Sequence, residues 1–235
     1  LIKKIKSKIN ISDYLIYVLL ATVCDVMPLR KLNRLIALNA LKNFDITKNL
    51  PLNTLFKLNE KKNKININDL GYLIGPILNA GGRLGKSQYA TELLSSNNDL
   101  VVNDRCKSLI KLNDKRKEIE NLILEEIDFK KIEKENKDVI IYYNPNINEG
   151  LIGIIAARLK DYFNKPSFVI TASNELLKGS ARSIYNYNIG RVIKNSLDQK
   201  LILNGGGHNM AAGFTLNRDS IKAFENYILE DFVKS

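Results

Sequence analysis

Residues 138–171 read DVIIYYNPNINEGLIGIIAARLKDYFNKPSFVIT, and the architecture turns on this stretch. Asp138 to Tyr143 is a short run carrying Val139, Ile140 and Ile141, which predicts a strand. Gly150 to Phe163 sets Ile154, Ile155, Ala157 and Leu159 along a helix. Pro166 to Thr171 predicts a second strand. Leu176 to Ile184 predicts another, holding the Gly-Ser-Ala-Arg-Ser stretch at a turn or strand end. A helix over 189–197, a glycine-rich stretch, a strand over 214–216 and a helix over 218–233 complete the pattern. Strands alternating with helices argue for an α/β layer architecture.

Upstream the pattern changes. Lys130 to Lys137 reads as a charged loop, and a domain boundary is expected near residue 130. Residues 100–127 predict one long helix, about 40 Å at 1.5 Å per residue. Val102, Cys106, Leu109 and Leu112 mark a stripe that Ile119, Ile123 and Ile127 resume. Between them Asn113 to Glu118 reads as charged nearly all round, which suits a connector between domains. Nearer the start, helices are expected over 12–27, 31–44 and about 88–96. The second has Leu32, Leu35, Ile36 and Leu41 at helical spacing. Residues 45–68, rich in Lys and Asn, read as a loop with at most a short helical insert. An apolar segment, Leu70 to Leu78, leads into a turn over 79–83.

The chain has 235 residues, 45% of them hydrophobic, and a net charge of +11. That charge permits a nucleic-acid partner, although the crowding of Lys, Asn and Ile points to composition bias. The chain begins at Leu1. Lys3, Lys4, Lys6 and Lys8 ahead of the apolar run Tyr14 to Cys24 superficially resemble a signal peptide. Ser12 and Asp13 fit a helix cap better, and the run is too short to span a bilayer. A buried helix of a cytoplasmic protein, with the natural start lying upstream, is the expectation. Two cysteines, Cys24 and Cys106, are expected as reduced thiols, and with a single histidine they build no ordinary zinc site.

Three stretches invite an anion. Gly205-Gly206-Gly207-His208-Asn209-Met210-Ala211-Ala212-Gly213 holds the one histidine and allows a φ > 0 turn that approaches a phosphate closely. Its bland alternative is a tight turn. Asn79-Ala80-Gly81-Gly82-Arg83 offers a guanidinium fork, or simply a helix cap. Lys178-Gly179-Ser180-Ala181-Arg182-Ser183 is the third. Asp25, on an apolar surface, is either a ligand for Mg²⁺ or Mn²⁺ or an acid that caps the next loop or pairs with Arg30 or Arg34.

Six motifs then occur in one order: Ala-Thr-Val-Cys-Asp-Val-Met-Pro-Leu (21–29), Gly-Pro-Ile-Leu-Asn-Ala-Gly-Gly-Arg-Leu-Gly (75–85), Leu-Asn-Asp-Lys-Arg-Lys-Glu-Ile-Glu (112–120), Gly-Leu-Ile-Gly-Ile-Ile-Ala-Ala-Arg-Leu (150–159), Lys-Gly-Ser-Ala-Arg-Ser (178–183) and Gly-Gly-His-Asn-Met-Ala-Ala-Gly (206–213). In this order the chain resembles the RecJ-type exonucleases of the DHH phosphoesterase superfamily. The resemblance implies that 1–98 is the C-terminal part of a catalytic DHH domain, 99–127 an interdomain connector helix and 130–235 a DHHA1 domain. The implied fold is a mainly helical part joined by that helix to an α/β domain.

The implied activity is hydrolysis of single-stranded DNA from the 5′ end, in repair and recombination, with two Mn²⁺ or Mg²⁺ ions. Asp25 is then one metal ligand and catalytic residue. Asn79, Arg83, Ser180, Arg182, Gly206, Gly207 and His208 hold phosphates of a strand between the domains. The family's Asp-rich and Asp-His-His motifs are absent, and so is the OB-fold of many relatives. Asn146-Ile147-Asn148-Glu149-Gly150 also departs from the family's Trp-His pair. Two rival readings stand beside this one: a non-catalytic single-strand-binding module, and a DHH-type phosphodiesterase acting on short RNA or cyclic dinucleotides.

Overall fold

The computed structural model describes residues 11–62 and 64–234, so the basic stretch from Lys3 to Lys8 lies outside the described residues. Two compact units divide the chain, Leu1–Arg116 and Lys117–Ser235.

The first unit is helical. A 3-10 turn, Ile11–Tyr14, precedes α1 (Leu15–Cys24), which buries Ile16, Leu19 and Leu20. This helix is shorter than the expected 12–27. Ser12 and Asp13 fall in the turn ahead of it, and Asp25 is its C-cap, followed by Val26 at φ 53°. α2 (Lys31–Asn43) has the expected span but not the expected buried side. Ala37 and Ala40 are buried, whereas Leu32, Leu35 and Leu38 are exposed. Of the expected stripe, Leu41 packs against the core and Ile36 is half-buried.

α3 (Leu50–Leu58) occupies the middle of the expected loop. Asn49 caps it by accepting from the Leu52 N–H at 3.1 Å, Pro51 sits in the first turn, and Leu52, Leu55 and Phe56 are buried. α4 (Ile67–Asp69), a π-helical turn (Leu70–Ile74) and α5 (Gly75–Arg83) then run on without a break. The turn expected at 79–83 is therefore the end of α5. The chain turns just afterwards, where Gly85 takes φ 75° and Lys86 N–H donates to Gly81 O at 2.7 Å. Gly75 serves close packing instead, since a Cβ there would lie 2.5 Å from Cys24 Sγ.

α6 (Gln88–Ser95) leads to α7 (Asp99–Glu126), a single helix of 28 residues. Its first half adds Val102, Cys106 and Leu109 to the core of the first unit, and Ile123 joins a core of the second. Its middle is not polar all round. Asn113 and Glu120, seven positions apart and so on one face, are buried and continue the stripe. Asn113 Oδ1 accepts from Arg116 Nη2 at 2.8 Å, and Glu120 Oε1 accepts from Arg158 Nε at 2.7 Å. α8 (Phe129–Glu135) replaces the expected charged loop, with Asp128 capping its N-terminus.

The rest of the second unit alternates as expected: β1 (Ile140–Tyr143), α9 (Ile152–Phe163), β2 (Ser167–Ser173), β3 (Leu176–Arg182), α10 (Ile189–Asp198), β4 (Asn204–His208), β5 (Ala211–Leu216) and α11 (Ile221–Val233). The strands form one sheet in the order β1-β2-β3-β5-β4. β1 and β2 are parallel, as a crossover through α9 requires, and the remaining pairs are antiparallel. The expected glycine turn is corrected here. Gly205 to Gly207 lie in an extended edge strand, and Gly85 is the one described glycine with φ in the left-handed region. The result is an α/β layer following a helical part, as the sequence implies.

Candidate nucleic-acid interface

Successive residues of a strand point to opposite faces, and paired residues share a face. The register therefore sorts the sheet completely. Phe168, Ala181, Ala212 and Gly207 form one row, and Ile170, Gly179, Phe214 and Gly205 the next. These rows face the core built with Val192 and Ile193 of α10 and Phe224 and Ile228 of α11. Gly205 and Gly179 are required there: a Cβ at Gly205 would stand 2.7 Å from Ile193 Cγ2, and one at Gly179 only 2.0 Å from the Phe214 ring.

The opposite face is covered only in part. Ile140, Tyr142 and Val169 pack under Ile152, Ile155 and Leu159 of α9. The same helix also packs against β3, and three rows run from β3 out across β5 and β4: Lys178–Thr215–Asn204, Ser180–Gly213–Gly206 and Arg182–Ala211–His208. Asn204, Gly206, His208 and Gly213 are exposed, and Lys178, Ser180 and Arg182 are half-buried. A Cβ at Gly206 would meet nothing within 4 Å. The centre row is thus a nearly bare backbone floor between a row with a lysine and a row with an arginine and a histidine.

The cations on this face are not equivalent. Arg182 Nη1 donates to Ser180 Oγ at 3.1 Å and to Ala181 O at 2.9 Å, so the guanidinium is held against its own strand. Lys178 Nζ lies 2.6 Å from Glu149 Oε2, to which Ser173 Oγ also donates at 3.1 Å. Lys178 first, and Ser173 second, hold the Glu149 carboxyl below the usual glutamate range. Glu149 precedes α9 in the stretch that departs from the family pattern. There Ile147 is buried, and Asn148 Oδ1 accepts from the Gly150 N–H at 2.8 Å as a local turn bond.

Sequence reasoning named Ser180, Arg182, Gly206 and His208, and the register brings these four to one face. It separates Gly207, whose Cβ would lie 2.5 Å from Ala212 Cα on the packed side. It adds Lys178, quoted in a motif but not singled out; the two-residue period from Ser180 is the signal that would have found it.

In the first unit, Asn79 and Arg83 sit one turn apart on α5, with Asn79 exposed and Arg83 half-buried. Asp25 is exposed, and among the described residues it forms no ion pair with Arg30 or Arg34. Among the described residues no three His, Cys, Asp or Glu side chains gather as metal ligands. Asp25 therefore belongs to no group of three or more such donors among the described residues, fewer than Mn²⁺ or Mg²⁺ takes. Both cysteines are free thiols. Burial pushes the Cys106 thiol up to about 12, and burial followed by the Asp25 charge raises that of Cys24.

Comparison with known proteins matches residues 136–234 to the DHHA1 domain family. The chain is 34% identical over 227 residues to the single-stranded-DNA-specific exonuclease RecJ of Haemophilus influenzae, covering 92% of this chain and 40% of that protein. It is 32% identical over 226 residues to the RecJ of Escherichia coli, covering 92% of this chain and 39% of that one. It therefore spans about two fifths of the length of the curated relatives it matches. Among solved structures, RecJ of Thermus thermophilus with Mg²⁺ superposes with a TM-score of 0.81 at 23% identity, over 95% of this chain and 35% of that one. A manganese-bound RecJ exonuclease gives 0.71 at 24% identity, over 94% of this chain and 55% of that one. Sequence relatives and fold agree: residues 136–234 match the DHHA1 domain family, and the chain as a whole is similar to part of RecJ.

Proposed function

We propose that this chain serves a single-stranded-DNA-specific exonuclease, and that the open face of its sheet holds the backbone of the strand. The observation that carries the reading is the register, which gathers Lys178, Ser180, Arg182, Gly206 and His208 around the bare Gly213–Gly206 floor. Phosphates accept hydrogen bonds from a guanidinium, a hydroxyl and an imidazole without regard to base sequence. A floor without side chains lets a sugar–phosphate chain lie close. Sequence-independent grip on a single strand is what an exonuclease needs from such a surface.

Asn79 and Arg83 are phosphate contacts of the first unit in this reading. Asp25 offers one of the oxygen donors that Mn²⁺ or Mg²⁺ requires, and the described residues do not complete the set.

Titrating the 235-residue chain with a labelled oligothymidylate and with duplex DNA tests the proposal. Single strands should bind more tightly. Arg182→Ala should weaken that binding by about 1–3 kcal/mol, roughly fivefold to 150-fold, as expected for losing a charge-assisted hydrogen bond. The slope of log K against log salt should fall by about one phosphate contact. Unchanged affinity and slope in a folded Arg182→Ala protein would refute the DNA role of this face.

A further inference from the structure

The motif over 150–159 forms the start of α9, and one of its residues touches the open face. Gly153 lies in the first turn of that helix, where glycine costs about 1 kcal/mol relative to alanine. A Cβ at 153 would stand 3.0 Å from Arg182 Nη2, 3.1 Å from Ser180 Oγ and 3.6 Å from Arg182 Cζ. The guanidinium cannot slide along its own strand to make room, because Nη1 is already bonded to Ser180 Oγ and Ala181 O. One edge of the fork is fixed by β3, and the other nitrogen lies over bare α9 backbone. A methyl group at 153 would press on both partners at once.

We propose that Gly153 is a positioning residue for Arg182: the missing side chain lets the guanidinium lie over the first turn of α9, in the orientation from which it meets a phosphate. The inference rests on the reading of the open face as a single-strand site. Its physical basis is the fork geometry of arginine, whose paired N–H groups match a phosphate only over a narrow range of orientations. Helix propensity alone would favour alanine at 153.

The test is a set of variants of the 235-residue chain, with affinity for a labelled oligothymidylate measured beside thermal melting. Gly153→Ala should weaken binding about fivefold, within the range for disturbing one charge-assisted bond, and flatten the salt dependence. In an Arg182→Ala background the same change should have no further effect. Arg182→Lys removes the nitrogen that the methyl group would meet and leaves only Ser180 Oγ, so in that background Gly153→Ala should weaken binding much less than in the parent chain and should not lower the melting temperature. This pair decides the matter even if Gly153→Ala lowers the melting temperature of the parent chain. Wild-type affinity in Gly153→Ala, or a full further loss in either Arg182 background, overturns the proposal. Wild-type affinity in Arg182→Ala instead overturns the DNA reading of the face, so the two failures are distinguishable.

Discussion

Gly206 and Gly207 are adjacent in sequence, and the sheet gives them opposite surroundings. A Cβ on Gly207 would fall 2.4 Å from Ala211 O and 2.5 Å from Ala212 Cα, whereas one on Gly206 would meet nothing within 4 Å. Gly207→Ala should therefore destabilise by about 1–3 kcal/mol through overpacking. Gly206→Ala should leave the melting temperature nearly unchanged and act on DNA affinity alone. Thermal melts and titrations of both variants check this, and equal melting temperatures would contradict the assigned faces. The sequence alone treated the two glycines alike, because a residue without a side chain carries no sign of which way it faces. His208 and Arg182 were legible as cations, but their common face comes from the register.

Among the elements, those with a strong side-chain period were legible. α9, α10 and β1 to β3 follow from apolar spacing, and α7 falls within a residue of its expected span at each end. β4 was not, since three glycines have no pattern to read. α3 was allowed for only as a short insert in a loop, because the Lys and Asn around it masked its extent, although Asn49, Pro51 and the buried Leu52, Leu55 and Phe56 were all signals. In α2 the period was right and the side only partly so: Leu41 packs inward beside Ala37 and Ala40, while Leu32 and Leu35 point out. The middle of α7 hid its buried polar positions among charges. The Glu120 side chain is 4% exposed and bonded to the half-exposed Arg158, so Arg158→Ala removes a cation from a buried carboxylate. That change should cost about 1–3 kcal/mol in chemical denaturation. A loss below about 0.5 kcal/mol would mean that Glu120 is satisfied without it.

For the molecule as a whole, the charge bears on binding and the supply of oxygen donors on hydrolysis. A net charge of +11 and a cationic sheet face favour a polyanion. Catalysis with two divalent ions needs several carboxylate or imidazole donors, and among the described residues Asp25 belongs to no group of three or more. Leu1 to Asn10 supply no acid or histidine either. The 235-residue chain with Mn²⁺ should therefore retain single strands without releasing nucleotides from end-labelled DNA. Release that disappears in Asp25→Ala would show a metal set not recognised among these residues. The edge strand bears on this grip through disorder rather than contact. Glycine loses more backbone freedom on ordering than any other residue, and β4 sets three in succession where only one neighbouring strand restrains them. Holding β4 extended therefore costs more backbone entropy than holding a strand without glycine. If a nucleic acid rests on Gly206 as proposed, its apparent affinity is set by the fraction of molecules in which β4 is extended.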